Sequence, residues 1–337
     1  MKIGLTYDLR SDYMAAGYDE METAEFDRED TIIALESALT KLGHEPERIG
    51  NAHQLIEALA LGKRWELVFN IAEGLRGIAR EAQVPAILDV FAIPYTFSDP
   101  LVMSLTLHKG MTKRIIRDAG IPTSDFLIFE QGGDEKDIPF FPPFFIKPVA
   151  EGTGKGVTPH SIIQRREDLH DACMVMQRDF KQSVLVERFL PGREFTVGVT
   201  GTGENAEVVG TIEVLLLDGA EPGVYSYANK ENCEALVEYR PVRSSSDPLI
   251  TKAEAISLEA YKVLGCRDAG RVDIRCDEDG KPFFLEINPL AGIHPEHSDL
   301  PIICKSANLS YKILIERILA SARRRLRTGT NSRERML

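Results

Sequence analysis

The residues best suited to chemistry lie in a predicted β-hairpin near the C-terminus, from Gly270 to Asn288. Asp279-Gly280 is typical of a two-residue hairpin turn. Counting outward from that turn gives three cross-strand pairs: Arg275 with Phe284, Asp273 with Glu286, and Arg271 with Asn288. Like charges on one rung destabilise a sheet unless a positive charge lies between them. The two facing carboxylates therefore predict a bound cation.

Strand alternation divides this hairpin into two faces. The face expected to join the core consists of Val272, Ile274, Leu285 and Ile287. The opposite face presents oxygen ligands beside a guanidinium and consists of Arg271, Asp273, Glu286 and Asn288. This face could hold a cation, and the register alone does not say which.

A lysine-ended strand and a glycine-rich loop lie upstream. The strand starts at Phe144 and ends at Lys147, and the loop runs through Glu151-Gly-Thr153-Gly154-Lys155. Glycines allow backbone N–H groups to approach a phosphate, and lysines supply charge for its oxygens. This segment predicts phosphate binding, with an ordinary turn as the alternative.

Between the loop and the hairpin, two strands are joined by a bend at Leu190-Pro-Gly192. Free backbone groups in such a bend can read an adenine edge, and Glu194 can accept hydrogen bonds from ribose hydroxyls. A domain hinge with surface acids is the alternative. His294-Pro-Glu-His297 follows the hairpin, but its proline disfavours the helix of a zinc motif and no third ligand is evident. We interpret it as a substrate-pocket loop, with solvated histidines as the alternative.

Composition bounds the function. The chain has 337 residues, enough for two or three domains, and its net charge of -12 disfavours nucleic acid or an anionic membrane as the main partner. Five scattered cysteines without a Cys-x-x-Cys pair are typical of a reducing cytoplasm. No signal peptide and no membrane-spanning run is predicted. We expect a cytoplasmic protein with small-molecule substrates, and a homodimer is left open.

The element pattern predicts an α/β domain with a mostly parallel sheet at the N-terminus. Strands are expected at 2–7 and 66–70, with a helix capped by Asp30 and another over 80–91. Further on, 131–143 is predicted to be an exposed loop and 219–233 a long polar loop. A capping box at Thr251 and Glu254 predicts a helix start, and the last helix is expected to end near residue 326.

Taken in order, the lysine strand, glycine loop, acidic bend and Asp…Glu-x-Asn hairpin resemble the ATP-grasp enzymes, and among them the D-alanine:D-alanine ligase family. The resemblance covers nearly the whole chain and is strongest over 94–301. It implies an α/β fold, α+β in its C-terminal part, with ATP held between the central and C-terminal of three domains. The domains predicted are 1–104, 105–190 and 191–326, followed by a flexible tail at 327–337.

The resemblance also implies a role for each matching residue. The ATP site would comprise Lys109, Lys147, Glu151, Thr153, Gly154, Lys155, Glu187, Arg188, Leu190 and Glu194, with Lys230 from a loop closing over the phosphates. Two Mg²⁺ ions, or Mn²⁺, would be held by Asp273, Glu286 and Asn288. Catalysis would fall to Arg271, the backbone N–H of Gly292 and Lys230, and Ser298 and His294 would contact substrate.

The chain departs from the family on the substrate side. The family's glycine pair and Ser-x-Glu-Arg-Glu run are missing; the corresponding regions read Asp8-Leu-Arg10 and Glu25-Phe-Asp27, which leaves the first amino group without an anchor. Glu73 stands where the family has histidine, and Glu231 where it has tyrosine. Glu73 suggests a positively charged amino group on a substrate, and a salt bridge to Arg76 or Arg80 is the structural alternative.

The implied function is an ATP-dependent carboxylate–amine ligase that forms an amide through an acylphosphate, with substrates that need not both be D-alanine. One alternative is a ligase that joins an amino acid to a peptide or another acceptor. The other is a non-catalytic ATP-binding module, which would have no need of the metal and oxyanion residues.

Overall fold

A computed structural model describes residues 1–130 and 138–333, with side chains given as far as residue 326. Within that part of the chain the strands form three sheets, of three, five and four strands. Among the same residues, no helix is long and apolar enough to cross a membrane.

The first sheet has three parallel strands in the order β2-β1-β3, which confirms the predicted parallel α/β start. Its helix over residues 29–41 buries Ile32, Leu35 and Leu39 against strand residues such as Ile3 and Phe69. The elements are β1 (Lys2–Thr6), α1 (Arg10–Ala15), α2 (Glu29–Lys41), β2 (Glu45–Gly50), α3 (Ala52–Ala60), β3 (Leu67–Asn70) and α4 (Gln83–Val90).

Two details of this region differ from prediction. The position before α2 is held by Arg28, so Asp30 lies inside the first turn and does not cap the helix from outside. β2 and α3 were not predicted. The sequence of β2, Glu45 to Gly50, is polar because only its last residue is buried, so it lacks the apolar run by which the other strands are recognised.

The second sheet is antiparallel in the order β4-β7-β5-β6. Residues 131–137 of the predicted exposed loop lie outside the described residues. In the remainder, Ile138 and Phe140 are buried against Phe144 and Val186, so exposure was wrongly predicted there. The elements are α5 (Pro100–Leu107), α6 (Lys109–Asp118), β4 (Phe126–Phe129), β5 (Phe144–Pro148), β6 (Ile162–Ile163), α7 (Leu169–Phe180) and β7 (Val184–Arg188).

The third sheet is antiparallel in the order β10-β9-β8-β11-β12. Its strands and helices are β8 (Glu194–Thr200), β9 (Glu207–Leu216), α8 (Tyr227–Glu231), α9 (Cys233–Leu236), β10 (Val237–Val242), α10 (Pro248–Val263), β11 (Ala269–Cys276), β12 (Pro282–Asn288), α11 (Asp299–Ser306) and α12 (Tyr311–Arg333).

Three predictions for this region need correction. The segment 219–233, called the lid below, contains the short helix α8 as well as loop. The Thr251 capping box does not start α10. The helix begins at Pro248, because Asp247 caps it and proline is favoured in a first helical turn. α12 continues to Arg333, beyond the expected end near residue 326. Residues 334–337 of the predicted tail lie outside the described residues.

Candidate functional site

The β11–β12 hairpin has the predicted register where the acids lie. Asp273 faces Glu286 and Arg271 faces Asn288, which confirms both pairs. The third predicted pair is wrong, because Arg275 faces Phe283 and not Phe284.

Two departures from the predicted hairpin geometry cancel each other's effect on the pairing register. The connection contains three residues, 278–280, between paired Asp277 and Lys281, where two were predicted. Opposite the step from Asp273 to Ile274 of β11, a β-bulge in β12 then leaves Leu285 without an opposite residue. The bulge restores the original count, so the two acids still meet.

The bulge also changes which side chains face the core. Phe284 is fully buried with Val272, Ile274 and Ile287, whereas Leu285, predicted to be in the core, lines a cavity beside the acids. The bulge thus adds an apolar side chain to the wall of that cavity.

Lysines surround Glu286. Lys147 Nζ lies 3.4 Å from Glu286 Oε2, and Lys109 Nζ lies 3.9 Å from the same atom. Burial by itself raises the pKa of Glu286, but Lys109, Lys147, Lys230 and Arg271 outweigh it and hold the pKa well below its ordinary value. The carboxylate is therefore ionised at all physiological pH values.

Asp273 is held from two sides. Its Oδ1 accepts a hydrogen bond from the Thr196 hydroxyl at 2.9 Å, and its Oδ2 pairs with Arg271. Arg271 also lies 3.4 Å from Asp299. Burial raises the pKa of Asp273, with Arg271 opposing and Glu286 reinforcing that rise. A cation beside this rung would relieve the repulsion between the two acids.

A cavity between the second and third sheets, called the nucleotide cavity below, is lined by the residues predicted to bind the nucleotide except Thr153, which lines a neighbouring cavity. Lys147 reaches Glu187 at 3.2 Å, and Glu194 is paired with Arg275 at 3.1 Å. The cavity is lined by Lys109, Phe145, Lys147, Pro148, Glu151, Gly154, Lys155, Val157, Glu187, Arg188, Phe189, Leu190, Glu194, Tyr225, Lys230, Asp273, Arg275, Leu285 and Glu286. Its apolar side chains and its lysines suit a base and a polyphosphate.

The glycine loop is tied to elements on both sides. Thr153 and Gly154 have φ of 49° and 75°, in the left-handed region. The backbone oxygen of Glu151 accepts a hydrogen bond from Lys109, and its carboxylate lies 3.7 Å from Lys155. Gly154 also lies against the lid, where a methyl group on it would come 2.9 Å from the backbone nitrogen of Tyr227.

Lys230 lies on α8 of the lid. Its ammonium lies 4.5 Å from the centre of the Tyr225 ring, and it lines the nucleotide cavity. The next residue, Glu231, lies 3.6 Å from Arg10 at the start of α1. The lid thus contacts the glycine loop and the N-terminal region together.

A second cavity, called the substrate cavity below, lies between the N-terminal region and the hairpin. It contains Glu73, Gly292, His294 and Ser298, together with Arg271 and Asn288. The Ser298 hydroxyl accepts a hydrogen bond from the backbone nitrogen of His294, and a methyl group on Gly292 would lie 2.7 Å from that hydroxyl oxygen. The His294 ring stacks on His297 at 4.4 Å and lies 3.3 Å from Asp30.

The structural alternative for Glu73 is wrong. Arg80 pairs with Glu25 at 2.8 Å, and Arg76 donates a hydrogen bond to the Tyr18 hydroxyl. Glu73 is left facing the substrate cavity.

Several residues of this cavity were not predicted as site residues. Asp27 and Glu81 line it, and Arg10 lies at its edge. They come from separate loops of the N-terminal region, so no sequence spacing connects them. The acid-rich run Glu25-Phe-Asp27-Arg28 immediately before α2 was the available signal.

The nucleotide and substrate cavities meet. Lys109, Glu151 and Glu286 line both of them. A group bound at the end of one cavity would therefore lie beside a group bound in the other, with lysine charge and a carboxylate between them.

Comparison with known proteins identifies this arrangement. Residues 115–320, well over half of the 337, match the family model described as the D-ala D-ala ligase C-terminus. The chain belongs to the D-alanine–D-alanine ligase family. This membership confirms the predicted class, an ATP-dependent ligase that forms a carbon–nitrogen bond.

Relatives of this ligase family extend the match beyond that domain. A D-alanine–D-alanine ligase of Aquifex aeolicus is 32% identical over 287 residues, covering 85% of this chain and 92% of the relative. The uncharacterized protein y4sG of Sinorhizobium fredii is 32% identical over 310 residues, covering 88% and 87%.

The fold is shared as well. The crystal structure of a D-alanine–D-alanine ligase from Bacillus anthracis complexed with ATP matches with a TM-score of 0.74 at 21% identity, covering 98% of this chain and 99% of that one. The predicted ATP-grasp fold is confirmed.

Proposed function

We propose that this ligase joins two small amino-acid or peptide substrates through an acylphosphate, and that the two need not both be D-alanine. The observation that carries the proposal is the meeting of the two cavities at Lys109, Glu151 and Glu286. A carboxylate in the substrate cavity and the terminal phosphate of ATP in the nucleotide cavity would meet there.

The chemistry balances without a nucleophilic side chain. A substrate carboxylate oxygen bonds to the γ-phosphorus as the bond to the β-γ bridging oxygen breaks, and ADP leaves. The amine of the second substrate then bonds to the acyl carbon, phosphate leaves with its C–O bonding pair, and the amine releases a proton to water. Phosphoryl transfer depends above all on positioning and charge neutralisation, which Lys109, Lys147 and Lys230 would supply.

Arg271 and the Gly292 N–H would serve the second step. Both line the substrate cavity beside Asn288. Donors held in a dry site stabilise the oxyanion of a tetrahedral intermediate because they need no reorganisation as it forms. The Ser298 hydroxyl, next to Gly292, would contact the carboxylate of the second substrate.

The metal residues fit Mg²⁺. Asp273 and Glu286 face each other on one rung, and Asn288 follows on the same strand, so all the side-chain donors are oxygens. Within the described residues no group of three His, Cys, Asp or Glu side chains could hold a metal alone, so ATP oxygens and water would complete the coordination. We propose that these three residues hold two Mg²⁺ ions, with Mn²⁺ as a substitute, which would neutralise phosphate charge.

The proposal also covers the cellular compartment and the oligomeric state. All five cysteines are free, which supports a reducing cytoplasm. A homodimer stays a prediction that sedimentation can check.

The deciding experiment measures ADP release with single and paired amino acids of both chiralities, starting with D-alanine because the Aquifex relative is named for it. We expect release to require a pair. Glu286→Gln should abolish turnover, whereas Asp279→Asn, at the exposed tip of the same hairpin, should not. Nucleotide-dependent thermal stabilisation without ADP release by any pair would favour the non-catalytic alternative instead.

A further inference from the structure

We infer that the substrate cavity takes a diamino acid, with its carboxylate toward Lys109 and Arg271 and its two ammonium groups toward acids of the N-terminal region. This rests on the proposed function and names its substrate class. The lining of this cavity has seven carboxylates and four lysine or arginine side chains, so carboxylates are in excess.

Some acids of the cavity already have partners. Glu25 pairs with Arg80 at 2.8 Å and accepts a hydrogen bond from the Gly152 N–H at 2.6 Å. Glu286 has Lys147 at 3.4 Å and Lys109 at 3.9 Å. Glu231 lies 3.6 Å from Arg10. None of these is free to bind a substrate ammonium.

Three other acids of the cavity are different. Asp27, Glu73 and Glu81 line it from three separate loops, before α2, after β3 and before α4. Among the described residues, none of the three has an ion pair. Asp27 has a hydrogen bond with the Thr31 side chain.

Glu81 is the sharpest case. Only 9% of its surface is exposed, its carboxylate has no hydrogen bond or ion pair among the described contacts, and it lines the cavity. The cations that influence it form no ion pair with it: Arg80 pairs with Glu25 and donates to the Ala150 carbonyl, and Lys109 donates to the Glu151 carbonyl. Burying a charge without a partner is unfavourable, so a cation from outside the chain would complete this site.

The pKa shifts agree with this division of the acids into those with and those without an ion pair. Burial, reinforced by neighbouring carboxylates, raises the pKa of Asp27 and of Glu81 to about 7 and raises the pKa of Glu73. Glu25, which is as deeply placed but has Arg80 and Lys155 beside it, has a lowered pKa. The first three acids therefore behave as a group lacking its counter-ions.

Three acids without an ion pair favour a substrate with more than one positive charge. The single α-ammonium of alanine could pair with one of these carboxylates and would leave the other two without an ion pair. A second ammonium on the same molecule would satisfy them. Arg271 and Lys109, which also line the cavity, are the charges suited to a substrate carboxylate.

The test is calorimetric binding to the full-length enzyme saturated with ADP and Mg²⁺. The probes are 2,4-diaminobutyrate, ornithine and lysine, compared with alanine and norvaline, each as both enantiomers. We expect at least one diamino acid to bind about tenfold or more tightly than norvaline. Glu81→Gln should remove most of that preference, whereas Glu57→Gln, an exposed acid on α3, should keep it.

The outcomes separate this inference from the proposed function. If alanine or norvaline binds as tightly as every diamino acid, the inference is wrong, even when ADP release shows that the enzyme is a ligase. If a diamino acid binds preferentially but no pair releases ADP, the inference stands and the proposed reaction fails. The preference is measured on the unaltered enzyme, so a variant that does not fold leaves the test intact.

Discussion

Lys113 Nζ lies 2.8 Å from Glu187 Oε2, and at most 2% of either side chain is exposed. Thr123 and Ser124 hydroxyls accept further hydrogen bonds from the same ammonium. Burial raises the pKa of Glu187, but Lys113 and Lys147 outweigh it and lower that pKa to about 2. Glu187, expected in the ATP site, is thus held in position by a lysine that does not line the nucleotide cavity.

Lys113→Met should destabilise the protein by about 3 kcal/mol, because it leaves a buried carboxylate with one cation fewer. Methionine keeps the length of the side chain, so lost packing contributes little. Thermal and urea unfolding measure the change. ADP affinity should fall as well, since Glu187 loses its fixed orientation.

Lys312→Met provides the control, because Lys312 is exposed at the start of α12. Its effect should stay within about 0.5 kcal/mol. Equal stability of the two variants would mean that the Lys113 pair contributes nothing net.

Stability should depend on pH through Glu81. Burial raises its pKa to about 7, with Arg80 opposing and Glu25 reinforcing, whereas the unfolded chain ionises near 4.5. Between these values the folded state holds more protons than the unfolded state, so the free energy of unfolding falls as pH rises. The stabilisation is complete below about 4.5 and is lost above about 7.

Glu81→Gln removes this titration. Its stability relative to the unaltered enzyme should increase by on the order of 3 kcal/mol between about pH 5 and about pH 8. Urea unfolding at the two pH values measures it, and Glu57→Gln is the control. A difference that does not change with pH would show that Glu81 titrates normally.

The hairpin shows how far local pattern reaches. Asp273 and Glu286 could be paired from sequence because alternation and a turn signal fix the register within a few residues. The longer turn and the bulge at Leu285 could not be predicted from the sequence. Each of them shifts the register by one residue, and the two shifts run in opposite directions. Because the two shifts cancel, the acids are paired as predicted. Between the shifts, however, Phe284 faces the core and Leu285 faces the cavity, the reverse of the prediction.

The nucleotide side was predictable because its residues come in short, ordered runs, such as Lys147 and the glycine loop after it. The substrate side was not. Asp27, Glu73 and Glu81 lie on three loops that only the folded chain brings together, and the family pattern that would have aligned them is absent here. Burial and the lack of counter-ions, which single out Glu81, are properties of the packed structure.

Glu25→Gln should loosen the glycine loop. Glu25 accepts hydrogen bonds from Gly152 and from Arg80, so it ties this loop to the N-terminal region. Removing its charge leaves buried Arg80 with the Ala150 carbonyl and, among the described residues, one ion pair, to Glu151 at 3.9 Å. We expect a loss of about 3 kcal/mol in stability and weaker ATP binding.

A double variant tests whether the lost ion pair between Glu25 and Arg80 causes this loss of stability. Glu25→Gln with Arg80→Met removes both charges, so the loss of stability should be smaller than the sum of the two single losses. Additive losses in thermal unfolding would show that the pair is not coupled.

Gly154→Ala should impair turnover by disturbing the closed lid. Gly154 has φ of 75°, and its added methyl group would lie 2.9 Å from the backbone nitrogen of Tyr227 and 3.1 Å from the carbonyl carbon of Ser226. Gly62→Ala is a matched control, because its φ is 82° with nothing within 4 Å. Both changes impose a left-handed alanine at about 1 kcal/mol, and Gly154→Ala adds the close contact with the lid backbone, so it should lose at least as much stability as Gly62→Ala. Only Gly154→Ala should lower kcat/KM for ATP, by about tenfold, and an equal loss in both would assign the effect to backbone strain alone.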